Sequence, residues 1–174
     1  DKLQLLSAKT LWLSETPEKI SKGWDANLNR TFTKTQFKAL KSGQSFYFFN
    51  THFDHMGKQA QLQSAVLLAK EVELLPKQSK VLLTGDFNVE PSSEPYKALS
   101  KSLNDSALVA AQKFSQNVGT FNGFGRDPTS PSQTIDFIFV SKNLQVSSYQ
   151  VDNRRYNGLY PSDHEALVAV VELN

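Results

Sequence analysis

Apolar residues change their spacing several times along the chain, and each change predicts an element. Leu3 to Leu13 alternates loosely and is rich in Leu, then Ser14-Glu15-Thr16-Pro17 interrupts it, which predicts one or two strands and a loop. Thr31 to Phe37 alternates with β-branched and aromatic residues and reads as a strand. After the turn at Lys41-Ser42-Gly43-Gln44, the run Phe46-Tyr47-Phe48-Phe49 predicts a strand buried on both faces. From Gly57 to Leu75 the period lengthens. Leu62, Ala65, Val66, Ala69 and Val72 recur at helical steps and predict an amphipathic helix that ends at Pro76. Val81-Leu82-Leu83 is a short strand. Ser92 or Ser93 then caps a short helix through Leu99, with Pro95 in its first turn.

Downstream, Leu103 to Ala111 fits no single period, and Lys113 to Ser132 reads as loop. Thr134 to Val140 alternates, placing Ile135, Phe137 and Phe139 on one pleat face and Asp136, Ile138 and Val140 on the other. Leu144–Val151 and Ala166–Val171 complete the strands, with a polar, aromatic loop over Asn153–Asp163 between them. Strands dominate and helices lie between some of them, which predicts an α/β or α+β sandwich of two packed sheets in a single domain over 1–174.

Composition adds mainly exclusions. At 174 residues, 39% hydrophobic and 21% charged, the chain suits one globular domain with a real core. No apolar run approaches the roughly 20 residues of a membrane-spanning helix. With no cysteine, disulfides and thiolate metal sites are ruled out. A net charge of +2 gives no support for a chain-wide polyanion-binding surface, though a local basic cleft is compatible with it. The opening Asp1-Lys2-Leu3-Gln4-Leu5-Leu6 reads like the middle of a strand, so the chain is expected to be part of a longer protein.

Four acid-and-histidine motifs follow apolar runs: Asn50-Thr51-His52, Thr84-Gly85-Asp86-Phe87-Asn88, Thr134-Ile135-Asp136-Phe137 and Ser162-Asp163-His164. Polar residues at strand ends are where open sheets build sites. Three carboxylates, two imidazoles and one carboxamide are the groups that hold a hard divalent cation and move protons around a phosphate. Asp86 and Asn88 share a side if the backbone stays extended there. An Asp-turn ending a strand is the simpler account of that motif taken alone. His52, at the end of a very apolar strand, is placed to protonate a leaving group. Asp136 lies within an apolar strand and needs a partner to offset its burial; His164 is the expected one.

In this order the motifs resemble the endonuclease/exonuclease/phosphatase superfamily, and the Trp12–Pro17, Gly23–Ala26 and Asn50–His55 segments resemble a bacterial branch of it. The resemblance implies a four-layer αββα sandwich of two mixed sheets with outer helices. It also implies hydrolysis of phosphate esters by water with Mg²⁺ or Mn²⁺. Residue by residue, it gives His52 the place near the leaving group and Asp86 the alignment of water. Asn88 would position that water and contact the phosphate, and Asp136 would orient the last histidine. Asp163 would bind metal, His164 would contact the scissile phosphate, and Arg30 would contact phosphate.

The superfamily also carries an asparagine and a metal-binding glutamate upstream of the segments found here. The chain is therefore expected to be the C-terminal two-thirds of the domain, lacking its first strands and self-associating through the exposed edge. The substrate class stays open between nucleic acid and sugar or lipid phosphates. The competing reading is a catalytically silent fragment or interaction module that keeps the fold without the upstream metal ligand.

Overall fold

A computed structural model describes residues 2–115, 118–126 and 133–173. Part of the Lys113–Ser132 stretch read as loop, residues 116–117 and 127–132, lies outside them. In chain order the elements are β1 (Leu3–Trp12), β2 (Thr31–Ala39), β3 (Ser45–His52), α1 (Lys58–Glu73), β4 (Val81–Asp86) and α2 (Glu94–Ser100). They continue with β5 (Leu103–Asp105), α3 (Ser106–Val109), β6 (Gln112–Lys113), β7 (Asp136–Ser141), β8 (Gln145–Asp152) and β9 (Ala166–Glu172).

The strands form two mixed sheets, one of six strands in the order β1-β2-β3-β4-β7-β5 and one of three in the order β6-β8-β9. Within the larger sheet β3 and β4 are parallel, joined through α1, and the other pairs are antiparallel. One face of this sheet buries Phe32, Phe49, Leu83 and Phe139 against Ala65 and Leu68 of α1 and Leu99 of α2. Phe48, Leu82 and Ile138 lie on its other face, across a gap from Leu167, Ala169 and Val171 of β9. The Phe46–Phe49 run therefore serves both faces of a central strand. This is the two-sheet sandwich the alternation predicts.

Helix α1 keeps its predicted span and most of its predicted face: Ala65 is in the core and Ala69 and Val72 pack against it, while Val66 departs. Val66 is exposed, while Gln61 and Ser64 are buried with Ala60, Ala65 and Leu68. Polar residues displace an apolar one because α1 also serves the loops at the sheet's end. Its N-cap, Gly57, has no side chain to offer. Asp25 caps the helix from a distant loop instead, accepting from the backbone N–H of Ala60 at 2.7 Å and of Gln59 at 3.2 Å. For α2 the reading holds: Ser93 is the N-cap and accepts from the Tyr96 N–H.

Candidate active site

Register brings the acid and histidine positions together. His52 at the end of β3 pairs with Asp86 at the end of β4, and Asp86 pairs with Asp136 at the start of β7. The three stand side by side in one row across the sheet. Gly85 is essential to that row, because a Cβ there would lie 2.1 Å from the Thr51 carbonyl oxygen on the neighbouring strand. Its role is this close approach; the chain turns later, at Asn88, where φ is +51°.

That turn decides between the two accounts of the Asp86–Asn88 motif in favour of the Asp-turn. The Asn88 N–H donates to Asp86 Oδ1 at 2.8 Å, the Asp-turn that was the simpler account of the motif. The Asn88 carboxamide donates one N–H to the Phe53 carbonyl at 3.1 Å and lines the cleft next to the row. A pleat-based argument fails here because a left-handed residue reverses the chain that alternation assumes to be straight.

Two imidazoles converge on one carboxylate oxygen. His52 Nε2 is 3.1 Å and His164 Nε2 3.8 Å from Asp86 Oδ2. His164 Nδ1 lies 2.8 Å from Asp136 Oδ2, the pairing expected from sequence. With Nδ1–H donating to Asp136, Nε2 is the atom facing Asp86. Burial pushes the Asp136 carboxyl upward, against hydrogen bonds from His164 and Thr120 that favour the ion. Burial works against the His164 imidazolium, yet the Asp136 hydrogen bond and the charges of Asp136, Asp86 and Asp163 raise its pKa on balance.

Three residues that sequence reasoning passed over hold this arrangement. Thr120 is fully buried, and its hydroxyl oxygen accepts from the N–H groups of Ile135 and Asp136, both at 3.0 Å, fixing the entry to β7. Asp54 accepts four main-chain N–H groups, from Asn27, Leu28, Met56 and Gly57, and ties the loop after His52 to the loop before β2. Gln61 donates to the carbonyls of Asp54 at 2.8 Å and Asn88 at 3.1 Å. Those carbonyls each lie two residues beyond a site residue, so one amide joins the loops leaving β3 and β4. Only Asp54 left a trace in the sequence, within the segment that includes His52. A buried Thr or Gln has no periodic signature.

The remaining candidates are placed differently. Arg30 directly precedes β2, at the sheet end that carries His52, and its buried Nε has no hydrogen-bond partner. Asp163 is half-buried next to His164. Its carbonyl accepts from the N–H groups of Asn122 and Gly123, and its carboxylate accepts from the Ser162 hydroxyl at 3.4 Å. Among the described residues, the group whose donor atoms lie within 4.8 Å of one another is Asp86, Asp136 and His164. Arg155 pairs with the buried Glu165 at 2.8 Å and stacks over Tyr160 at 3.7 Å, and Arg154 pairs with Asp152, so these arginines serve loop packing. Phe121 lies edge-on to the His164 ring, with centroids 5.0 Å apart.

Comparison with known proteins identifies the family and the fold. No curated protein matches the chain significantly. A mannosyl-6-phosphatase structure from Bacteroides thetaiotaomicron is 38% identical with a TM-score of 0.90, the match covering 99% of this chain and 68% of that one. An endonuclease/exonuclease/phosphatase from Bacteroides vulgatus is 34% identical with a TM-score of 0.92, covering 100% and 67%. The catalytic domain of human Nocturnin shares the fold at 23% identity and a TM-score of 0.75, covering 99% and 61%. Residues 3–164, which contain the whole His–Asp row, match the profile of the Endonuclease/Exonuclease/phosphatase family, and the chain belongs to that family.

Proposed function

We propose that this site hydrolyses phosphate esters by attack of water, with Mg²⁺ or Mn²⁺ as cofactor. The observation that carries the reading is the convergence of two imidazole Nε2 atoms on Asp86, one imidazole being anchored from behind by Asp136. Asp86 accepts a hydrogen bond from the attacking water and aligns it, and such positioning supplies much of the rate in phosphoryl transfer. His164, with its pKa raised, carries a proton towards a phosphoryl oxygen as negative charge develops there. His52 lies on the opposite side of Asp86 and serves the leaving oxygen. The second Asn88 amide N–H supplies a further donor to the phosphate, the task the family resemblance also gives to Arg30.

The donor set suits a hard cation. Two carboxylates and one imidazole lie within 4.8 Å of one another, and Mg²⁺ or Mn²⁺ commonly binds a few protein ligands and retains several waters. Asp86 and Asp136 would hold it, whereas Asp163, the ligand the family resemblance gives, is not in that group; when bound, the cation would neutralise charge on the phosphoryl oxygens. The named mannosyl-6-phosphatase relative supports the reaction class.

Hydrolysis of p-nitrophenyl phosphate and bis-p-nitrophenyl phosphate tests the reading. Release of p-nitrophenol should require added Mg²⁺ or Mn²⁺ and fall by at least about 100-fold in Asp86→Ala and His164→Ala. Equal rates in the parent and both variants would rule out this site. Absence of turnover in a folded, metal-loaded chain would favour the catalytically silent alternative.

A further inference from the structure

Residues 120–125 run between the start of β7, which carries Asp136, and the loop into β9, which carries His164, and they bond to both. Resting on the phosphoester reading above, we propose that Thr120 is a positioning residue for that reaction. It holds both members of the Asp136–His164 pair at once and so fixes where His164 Nε2 points.

The Asp136 side depends on a strand edge that the sheet leaves open. Strand β4 pairs with β7 from Asp136 onward, but β5 meets β7 only at Phe139–Ser141. The edge of β7 beside Asp136 therefore has no strand partner among the described residues. There the buried Thr120 hydroxyl oxygen accepts from the Ile135 and Asp136 N–H groups, both at 3.0 Å, and the Thr120 N–H donates to the Gln133 carbonyl at 2.8 Å. With both acceptor sites filled, the hydroxyl's one proton goes to the Asp136 carboxylate and favours its ion.

The His164 side is held chiefly by main-chain bonds. The Thr120 carbonyl accepts from the Glu165 N–H at 2.7 Å, and Phe121 pairs with His164 as an antiparallel bridge. Asn122 and Gly123 donate their N–H groups to the Asp163 carbonyl at 2.8 Å and 3.1 Å, and the Asn122 carboxamide donates to the Ser162 carbonyl at 3.1 Å. Each residue from Ser162 to Glu165 is thus tied to residues 120–123. The far end is pinned as well. A Cβ on Gly125 would lie 2.9 Å from the Tyr160 ring, and Tyr160 stacks against Arg155, the partner of Glu165.

Thr120 reaches both sides, its hydroxyl to Asp136 and its carbonyl to the residue after His164. Any shift of Thr120 therefore acts on the 2.8 Å bond between His164 Nδ1 and Asp136. A misplacement of about 1 Å can cost on the order of 100-fold in rate. A threonine that only stabilised the fold would lower stability when lost and leave turnover per folded molecule unchanged.

Thr120→Val keeps the shape and removes the hydroxyl, whereas Thr120→Ser keeps the hydroxyl. With the p-nitrophenyl esters above and Mg²⁺, kcat per folded molecule should fall about ten-fold or more in Thr120→Val with KM within about two-fold, and Thr120→Ser should recover most of it. Urea unfolding gives the folded fraction. The second readout needs no turnover. The chain has three histidines, and the downfield proton signal of the carboxylate-bound imidazole N–H is assigned to His164 by its loss in Asp136→Asn. This signal should persist in Thr120→Ser and shift or broaden in Thr120→Val. Unchanged kcat or an unchanged signal in Thr120→Val would overturn the proposal, as would loss of either in a folded Thr120→Ser. If Thr120→Val does not fold, Thr120→Ala takes its place in the same comparison. An inactive parent chain whose signal still responds to Thr120→Val would defeat the phosphoester reading and leave the hold of Thr120 on the pair intact.

Discussion

Asp54 illustrates how a residue can resemble a catalytic group and act as a frame. It lies two residues after His52 and is 2% exposed, with both carboxylate oxygens taken by main-chain N–H groups. Burial opposes its ionisation, but the hydrogen bonds from Gly57, Leu28, Met56 and Asn27 outweigh it and hold the carboxyl well below its ordinary value of 3.8. Asp54→Ala should therefore destabilise the fold by about 3 kcal/mol, measured by urea unfolding at neutral pH. A depressed folded-state pKa contributes stability above the unfolded value and loses it as pH falls through the folded value. The difference between parent and Asp54→Asn should accordingly be full near pH 6 and shrink as pH drops below the ordinary carboxylate value. A constant difference from pH 6 to pH 2 would show that the carboxylate charge is not what the loops need. At this scale the sequence disclosed the pairing of Asp136 with His164, because a carboxylate inside an apolar strand demands a partner. Thr120 and Gln61 stayed hidden because what they do depends on carbonyls and N–H groups brought to them by other segments.

At the level of elements, the boundaries of α1 and α2 were readable from caps, Pro and period, and so was most of the inward face of α1, with Ala65, Ala69 and Val72 against the core. Its apolar stripe predicts Val66 inward, yet Val66 is 46% exposed and Gln61 is buried. The capping partner is also non-local, since Asp25 lies in the loop before β2. Asp25→Ala should leave the N–H groups of Gln59 and Ala60 without their acceptor and cost about 1 kcal/mol, read from the denaturant midpoint. Because Gly57 packs against Asp25, where a Cβ would meet Asp25 Oδ1 at 2.7 Å, Gly57→Ala should be destabilising as well. A midpoint unchanged in Asp25→Ala would show that solvent replaces the cap at no cost. The row of His52, Asp86 and Asp136 also belongs to this scale, because it depends on the register of three strands.

Across the whole molecule, the two sheets do not close tightly on each other. A gap of about 390 Å³ separates Phe48, Leu82 and Ile138 from Leu167, Ala169 and Val171. Strand β9 is the edge of its sheet among the described residues, with Val168 47% and Val170 53% exposed. An unpaired edge flanked by exposed valines is a template for pairing with another chain. Sedimentation velocity at rising protein concentration should show self-association, and Val168→Lys should reduce it by placing a charge on the edge. A monomer at all concentrations would remove this expectation.

Taken by itself, the chain's pattern of apolar and polar positions determined most of the strands, the two main helices, the sandwich class and the identity of the acid and histidine set. These features are local, set by period, turn chemistry and the cost of burying a charge. Tertiary structure alone decided that Asp86 stands between two imidazoles, that Asn88 turns instead of extending, and that Gln61 and Asp54 bind the loops together. Each of those outcomes depends on strand register or on contacts between residues far apart in the chain, and side-chain periodicity carries no record of either.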